Sequence, residues 1–396
     1  MGNITKIIWI KNAVETLGYF SEQIASALEA SGYDTYCIDY ERLYESLEGV
    51  RRFAVRGETA FLTFNFIGLG DEEIFREETG RFLWEAYDMK YLNILVDHPL
   101  YYHARLVQVL PRMTLFCVDR EHVAYVKRFY PGIPVKFLPL AGNMRRGETL
   151  LSGESGQMGE ALYDLVFTAN YVPPAQLERQ ICLLDEEYRS FYRGILEDLI
   201  LDPAQSVDAV MERHIRRELG DISDCDLRSA LGGMVLIDLY ARTYFRGEVV
   251  RVLAEQGVRV DVFGAGWEML SCGKPENIIR HGGQVTSAVC VEAVRNARLS
   301  LNLMPWFKDG AHDRIFTAML QRTVCVTDDS RYLRGEFADG EGLVYFSLKE
   351  RERLPELVKT LLHDAAELEE IAEKGFRKAR AGHTWRERAA ELAKEL

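Results

Sequence analysis

The sequence predicts an α/β protein of two doubly wound domains, each a parallel sheet with helices on both faces. From residue 4 onwards, short runs of β-branched and apolar residues alternate with amphipathic helical stretches, and this alternation is typical of βαβ units. A length of 396 residues suits two domains of ordinary size. With 47% hydrophobic residues and only 11 prolines, the chain has enough apolar material for a core in each domain.

The first domain is predicted to span residues 1–150. Gly, Ser and charged residues without an apolar period over about 143–160 predict a linker or exposed hairpin at its end. Its strands are predicted at 4–10, 35–39, 60–66, 91–96, 114–118 and 135–139, and helices at 20–30 and 122–129.

The second domain is predicted over residues 160–382, with a helical insertion at about 174–254. Aromatic residues in the insertion indicate core packing at helical spacing, or else an acceptor or partner surface. Residues 383–396 are predicted to form a C-terminal helix that packs back toward the N-terminal domain. The strands of the second domain are predicted at 165–168, 259–263, 299–303, 324–327 and 343–346, with a helix at 314–320. We expect ligands to bind in a cleft between the domains, at the carboxyl ends of both sheets.

Composition excludes several classes of protein. A formal charge of −13, from 48 Lys and Arg against 61 Asp and Glu, argues against sequence-independent binding to nucleic acid or anionic lipid. The seven cysteines are scattered without a Cys-x-x-Cys spacing, which disfavours a disulfide framework and structural zinc. No signal peptide or membrane-spanning run is recognisable, so a cytoplasmic location is expected.

The most informative stretch is 299–330, where a strand leads into a Lys-Asp-Gly loop at 308–310 and then into a helix. The free N–H groups and the dipole of a helix start suit a diphosphate. Lys308, His312 and Arg314 would supply the remaining positive charge. The alternative is an ordinary connection with a charged surface loop.

A second candidate loop, at 264–267, follows a predicted strand and reads Gly-Ala-Gly-Trp. It matches only half of a dinucleotide-binding fingerprint, so a nicotinamide site is disfavoured. The loop either contacts a base or sugar or is a tight turn. His281 and the two glycines that follow it, Gly282 and Gly283, either bind a nucleobase through backbone groups or form an ordinary turn.

In the first domain, Asp97 and His98 directly follow a predicted strand. Such residues lie at the ligand-binding edge of a doubly wound sheet, where an Asp and a His can act as base and orienter. The alternative is a helix-capping Asp beside a hydrogen-bonded His. Polar residues at corresponding strand ends, or just after this pair, are candidate acceptor contacts or simple turn residues: Asn12, Asn65, Tyr102 and His103.

Motifs for other chemistries are missing from the sequence. It has no Gly-x-Ser-x-Gly elbow, Walker loop or His-Glu-x-x-His, and no Asp-x-Asp of the kind that holds a divalent ion beside a nucleotide; Asp328 and Asp329 are adjacent instead of alternating. No metal site and no resident cofactor are therefore predicted.

Taken together, ten motifs resemble one family. Those in the second domain are LVFTANY (165–171), VDVFGAGW (260–267), HGG (281–283), LNLMPWFKDGAHDRIFTAM (301–319), VCVTDDSRYL (324–333) and IAEKGFRKARAGHTWRERA (371–389). Those in the first are TFNFIG (63–68), NILVDHPLYYH (93–103), CVDREHVAYVKRFYP (117–131) and FLPLAGN (137–143). The sequence resembles bacterial GT-B glycosyltransferases of the glycosyltransferase family 1-like group, specifically those related to CgeB-type spore maturation proteins.

This resemblance implies a GT-B fold and metal-independent transfer of a sugar, of the hexosyltransferase type. The donor would be a nucleotide-diphosphate sugar, expected to be a UDP-sugar, and the acceptor a hydroxyl of a bacterial surface glycan or protein. Asp97 or His98 would be the base of an inverting reaction, or would position the acceptor in a retaining one. The implied donor-binding residues are Asn170, Gly264, Gly266, Trp267, His281, Gly282, Lys308, Asp309, Gly310, Ala311, His312, Arg314 and Thr317.

Two departures from the family pattern bear on function. Thr317 stands where many relatives have a glutamate that can bind the donor ribose, and Ala169 stands where they usually have glycine. Thr317 favours an alternative in which the chain is a catalytically degenerate binding subunit. A nucleotide-sugar epimerase is a further alternative, although the cleft carboxylates it needs are not evident.

Overall fold

The computed structural model describes residues 4–70, 72–77, 80–108, 110–145 and 161–396. It divides the chain into two units, one of Met1–Ala141 with His383–Leu396 and the other of Gly142–Gly382. Each unit contains a six-stranded sheet whose strand pairs are all parallel. The predicted class, two doubly wound α/β domains, is confirmed.

The sheet of the first unit has the order β2-β1-β3-β4-β5-β6. Successive strands are added to one side of β1 and then, from β3 onwards, to its other side, so the switch point lies between β1 and β3. Ligands bind at such switch points in doubly wound folds. The strands are β1 Lys6–Lys11, β2 Asp34–Asp39, β3 Thr59–Phe64, β4 Lys90–Leu95, β5 Met113–Cys117 and β6 Val135–Phe137. The helices are α1 Glu15–Ala30, α2 Leu43–Phe53, α3 Leu83–Ala86, α4 His103–Leu106 and α5 Arg120–Phe129.

The second unit has the order β12-β11-β10-β7-β8-β9, with its switch point between β7 and β10. The strands are β7 Tyr163–Thr168, β8 Val260–Phe263, β9 Ile278–Arg280, β10 Ala297–Asn302, β11 Val324–Thr327 and β12 Leu343–Tyr345. The helices are α6 Pro174–Cys182, α7 Glu186–Leu201, α8 Val207–Leu219, α9 Asp224–Gly232, α10 Val235–Glu255, α11 Ser287–Arg295, α12 Asp313–Leu320, α13 Arg331–Glu336, α14 Leu354–His363 and α15 Ala365–Gly382.

The last helix, α16 Trp385–Ala393, belongs to the first unit. A capping box begins this helix: the Thr384 side chain accepts from the Glu387 backbone N–H, and the Glu387 side chain accepts from the Thr384 backbone N–H. The Trp385 ring lies 4.9 Å from the ring of Phe20 on α1, centroid to centroid. The C-terminal segment is thereby packed on the first sheet's own helix layer.

Two features differ from the expectations. The helical insertion is five helices instead of one tract, because local caps end and restart it; Asp185, for example, accepts from the Tyr188 N–H at the start of α7. β9 and α11 were not predicted, since β9 has only three residues and shows no period. No helix in the described part of the chain is long and apolar enough to cross a membrane.

The segment predicted as a linker, 143–160, lies outside the described residues except for 143–145. Asn143, its first residue, is not linker-like, because it is only 4% exposed. Its side-chain amide donates to Asp313 Oδ2 at 2.9 Å. A buried amide needs such partners, and α12 provides them here.

Candidate functional site

The loops at the second unit's switch point follow two neighbouring strands. Residues 169–171 follow β7, and 303–312 follow β10 and lead into α12. Arg246 of α10 connects them: its Nη1 donates to the Asn170 carbonyl at 3.1 Å, and its guanidinium lies 5.5 Å from the centroid of the Trp306 ring. Arg246 therefore links the two loops that border the crevice expected at a switch point, and the predicted donor residues Asn170 and 308–312 lie on these loops.

His312 is the N-cap of α12, and its imidazole Nδ1 lies 2.7 Å from Asp313 Oδ1. Burial, followed by the charge of Arg314, lowers the pKa of His312 to about 4, so the ring is neutral at pH 7. As the N-cap side chain, His312 accepts from the Arg314 backbone N–H through Nδ1 at 3.3 Å. A neutral ring does not supply the positive charge that the sequence predicted for His312.

Asp313 is buried at the first position of α12. Burial by itself would raise the pKa of its carboxyl group, but His312, Arg314 and the Asn143 amide outweigh burial and lower that pKa overall. An ionised carboxylate beside a helix N-terminus is favoured by the helix dipole.

Arg314 is the second residue of α12, and its guanidinium lies close enough to Asp313, Cys290 and Cys325 to be affected by their charges. Its Nη1 is buried and has no hydrogen-bond partner in the described part of the chain. Burial lowers the pKa of this guanidinium, while the charge of Asp313 opposes the shift. A buried N–H donor without an acceptor is costly, so a ligand oxygen that accepted a hydrogen bond from it would bind favourably.

Lys308 is committed to the loop. Its Nζ donates to the Pro203 carbonyl at 2.5 Å and the Pro305 carbonyl at 2.7 Å. Pro203 lies between α7 and α8, so the ammonium joins the helical insertion to the loop after β10. The sequence predicted phosphate binding for Lys308, and the structure adds this positioning role.

The loop 308–310 is also held from the other side, by the residues after β11. Ser330 Oγ donates to the Gly310 carbonyl at 2.6 Å, and Arg331 lies 3.6 Å from the Asp309 carboxylate. Ala311, the next residue, is fully buried. The entry into α12 is therefore held by contacts on both sides.

Asp328, at the end of β11, was not predicted as a site residue. Its Oδ1 accepts from the Met304 N–H at 2.8 Å, and the side chain is buried. Burial raises the pKa of this carboxyl group to about 7, although the Met304 hydrogen bond and the charge of Lys308 oppose the rise. Asp328 is thus a titratable group in contact with the loop 303–312, which leads into α12.

Thr317 has a structural partner. Its hydroxyl accepts from the Asn143 N–H at 2.9 Å and from the Asn143 side-chain amide at 3.2 Å. The backbone at Gly142 approaches so closely that a Cβ there would lie 2.5 Å from the Phe316 carbonyl oxygen. Thr317 therefore holds the first residues of the second unit against α12.

The loops after β7 and β8 interlock. Gly264 and Gly266 have positive φ, and a Cβ on Gly266 would lie 2.0 Å from the Tyr171 carbonyl oxygen. Asn170 Oδ1 accepts from the Ala265 N–H at 2.9 Å. Trp267 is only 2% exposed and stacks on Tyr171. These residues shape the wall of the crevice, and the Trp267 ring is part of the core.

His281 lies after β9, an edge strand two positions from β7. Its Nε2 lies 2.7 Å from Oδ1 of the buried Asp261, and its ring stacks on Phe263 at 4.4 Å. The following Gly282 is exposed with a φ of 82° and has open space around it. This turn is anchored by the histidine and exposed at its tip.

In the first unit, three predicted residues meet at one carboxylate. Asp97 Oδ2 accepts from Asn65 Nδ2 at 3.1 Å and from the Tyr102 hydroxyl at 3.2 Å. Asn65 itself has a φ of 51° and accepts from the Val96 N–H through Oδ1 at 3.0 Å. The cluster lies at the carboxyl ends of β3 and β4.

His98 lies elsewhere. It is 3% exposed, its Nδ1 accepts from the Leu100 N–H at 3.1 Å, and its ring contacts the rings of His122 and Tyr125 edge-on. His98, and not Asp97, therefore caps the following turn. Asp97 is the member of the pair whose side chain joins the cluster at the carboxyl ends of β3 and β4.

The remaining predicted acceptor residues have other partners. Asn12, with a φ of 63°, donates from Nδ2 to Asp39 Oδ1 at 2.7 Å at the ends of β1 and β2. The Nδ1 atom of His103 lies 2.8 Å from the Tyr130 hydroxyl. Neither contact involves the Asp97 carboxylate.

Two solved structures are similar to the chain over almost its whole length. The chain is similar to Anabaena HepE in complex with UDP-glucose, at 10% identity and a TM-score of 0.52, over 99% of this chain and 100% of that one. It is similar to sucrose-phosphate synthase from Thermosynechococcus elongatus, at 12% identity and a TM-score of 0.50, over 98% of both chains. A search among curated proteins found no significant match.

These similarities define the class of the protein as a GT-B fold of two Rossmann-like domains. Residues 242–394 match the family model described as "Glycosyl transferase-like". The predicted resemblance to GT-B glycosyltransferases is therefore confirmed, while the CgeB-type relationship stays a prediction. The matched segment includes β8 to α15, and with them the start of α12 and its neighbours.

Proposed function

We propose that the protein is a glycosyltransferase that moves a sugar from a nucleotide-diphosphate sugar to an acceptor hydroxyl. The observation that carries the proposal is Arg314, whose buried Nη1 has no partner in the described part of the chain, at a helix start inside the glycosyl transferase-like segment. A diphosphate oxygen would complete its hydrogen bonding.

The diphosphate end of the donor would lie at the start of α12. There the backbone N–H groups of the first turn, the helix dipole and Arg314 would stabilise the negative charge that develops on the leaving diphosphate. His312, neutral at pH 7, would cap this helix start beside the diphosphate. No metal ion is required in this proposal, and it names no resident cofactor.

The acceptor would bind at the carboxyl edge of the first unit's sheet. In an inverting reaction, Asp97 would take the proton of the acceptor hydroxyl while its oxygen forms a bond to the anomeric carbon. The bond from that carbon to the diphosphate breaks, and its electron pair leaves with the diphosphate. Asn65 and Tyr102 hold the carboxylate in place. In a retaining reaction the departing diphosphate would take the proton, and Asp97 would position the acceptor.

The finer parts of the proposal follow the sequence resemblance. We propose UDP as the nucleotide, because HepE is described in complex with UDP-glucose. A hexosyl group, an acceptor on a bacterial surface glycan or protein, and a cytoplasmic location are proposed from the CgeB-type motifs.

A second candidate is a degenerate subunit that binds a partner or acceptor without catalysis. Thr317 favours it, because the hydroxyl is occupied by Asn143 and stands where relatives have a ribose-binding glutamate.

A thermal-shift screen separates the two candidates. The purified protein is heated with UDP, GDP, dTDP, CMP or ADP and with their common sugar conjugates, with and without EDTA. Ligands that bind the native state raise its melting temperature. A shift by one diphosphate family that EDTA leaves unchanged, together with slow hydrolysis of the matching sugar conjugate, is the expected result. No shift with any nucleotide would overturn the transferase proposal.

A further inference from the structure

Two arginines on α10 approach the crevice from the helical insertion. Arg242 and Arg246 are one turn apart on α10, and their guanidinium carbons lie 4.4 and 5.5 Å from the centroid of the Trp306 ring. Trp306 is buried in the loop after β10. A guanidinium over an indole is held by cation–π attraction, so both arginines have a defined position.

The two arginines differ in their partners. Arg242 Nε lies 2.7 Å from Asp238 Oδ2, with side-chain exposures of 12% and 3%, so its charge is compensated within α10. Arg246 Nη1 donates to the Asn170 carbonyl in the loop after β7. Arg246 therefore spans the two loops at the switch point, where doubly wound sheets bind their ligands.

Arg246 also belongs to the same electrostatic neighbourhood as the start of α12. The His312 ring lies 6.2 Å from the Trp306 ring. After burial, the charges of Arg314 and then Arg246 both lower the pKa of His312. Arg246 and Arg314 therefore both place positive charge near the start of α12, where a bound anion is favoured.

We propose that Arg246 is a further binding residue for the diphosphate of the donor, supplied by the helical insertion. This inference rests on the proposed function. The planar guanidinium presents five donors in a fork that matches phosphate oxygens. Together with the Lys308 contact to Pro203, it makes the insertion a part of the donor site instead of a separate surface for acceptors or partners.

The test compares a nucleoside diphosphate with its nucleoside. UDP and uridine are the first pair, replaced by another pair if the thermal-shift screen selects another base. Dissociation constants are measured by calorimetry and NMR titration for the unaltered protein, Arg246→Met and Arg246→Lys. Arg251→Met is the matched control, because Arg251 lies on the same helix and pairs with Glu248 and Glu255.

We expect Arg246→Met to weaken UDP binding by about tenfold or more, as for a lost charge-assisted hydrogen bond, while uridine binding changes by less than about twofold. Arg246→Lys should fall between, because it keeps the charge and loses the fork. It also serves as the test variant if Arg246→Met does not fold.

Equal losses for UDP and uridine would show that Arg246 only shapes the crevice, and this would overturn the inference. Unchanged UDP binding would overturn it too. Failure of the unaltered protein to bind any nucleoside diphosphate would overturn the proposed function itself, which is a distinguishable outcome.

Discussion

Arg314→Met should make the ligand-free protein more stable and its ligand binding weaker. The Arg314 Nη1 atom is buried without a partner in the described residues. A buried unsatisfied donor costs about 1–3 kcal/mol. Methionine has a similar length and no polar hydrogen, so it fills the same space without that cost.

The two effects have different expected sizes. For a domain of about 150–250 residues, each kcal/mol corresponds to about 2–4 °C in the melting temperature, so a rise of a few degrees is expected. A charge-assisted hydrogen bond contributes about 1.5–3 kcal/mol, which corresponds to a Kd raised by about 10- to 150-fold for the diphosphate.

The assay is calorimetric unfolding without ligand, followed by titration with the nucleoside diphosphate that shifts the unaltered protein. Arg353→Met is the control, because the Arg353 side chain is 81% exposed and its ion pair with Glu350 is at the surface; both quantities should stay unchanged there. A fall in melting temperature with an unchanged Kd would refute the reasoning, because it would assign Arg314 a structural role.

Asp97→Asn should lower sugar transfer by about 10²- to 10⁴-fold, as for loss of a general base, with nucleotide affinity within about twofold; full turnover in a transfer assay would locate the base elsewhere. The raised pKa of Asp328, about 7 in the folded state, predicts that its stabilising contribution is present in full below about pH 4 and is lost as pH rises through 7. Melting temperatures at pH 4 to 8 should therefore fall less steeply with pH in Asp328→Asn, and equal slopes would contradict this. Gly266→Ala should cost more than Gly282→Ala in urea unfolding: both positions have φ between 80° and 90°, but only at Gly266 would the new Cβ meet a carbonyl oxygen, at 2.0 Å. The left-handed backbone alone costs about 1–2 kcal/mol, and the collision should add about 3 kcal/mol or more. Equal losses would refute this account.

The regular elements could be predicted because their signal is local. Strands such as 324–327 are short runs of apolar residues next to helical patterns, and the structure has that strand at the same residues. β9 could not be predicted, because three residues after a proline-containing turn show no period. It becomes a strand only by pairing with β8.

The candidate site was predicted in part. Asp97 and Asn65 were predicted from their positions just after strands, and Tyr102 from its position shortly after Asp97 and His98; the structure joins the three through one carboxylate. His98 looked equivalent to Asp97 in the sequence, but its ring is buried and caps a turn. Whether a side chain after a strand points to the edge or inward depends on backbone conformation, which the residue types do not specify.

What the sequence by itself determined is the number and kind of domains and the helix start near Arg314, because apolar periods and turn residues act over a few positions. Only the tertiary structure decided which distant groups share a site. Arg246 lies 60 residues before Trp306, yet both lie at the same switch point. Asn143 holds Thr317 from 174 residues away. Such pairings depend on the strand order of the sheet and on which buried polar groups must find a partner, and neither is written in a local pattern.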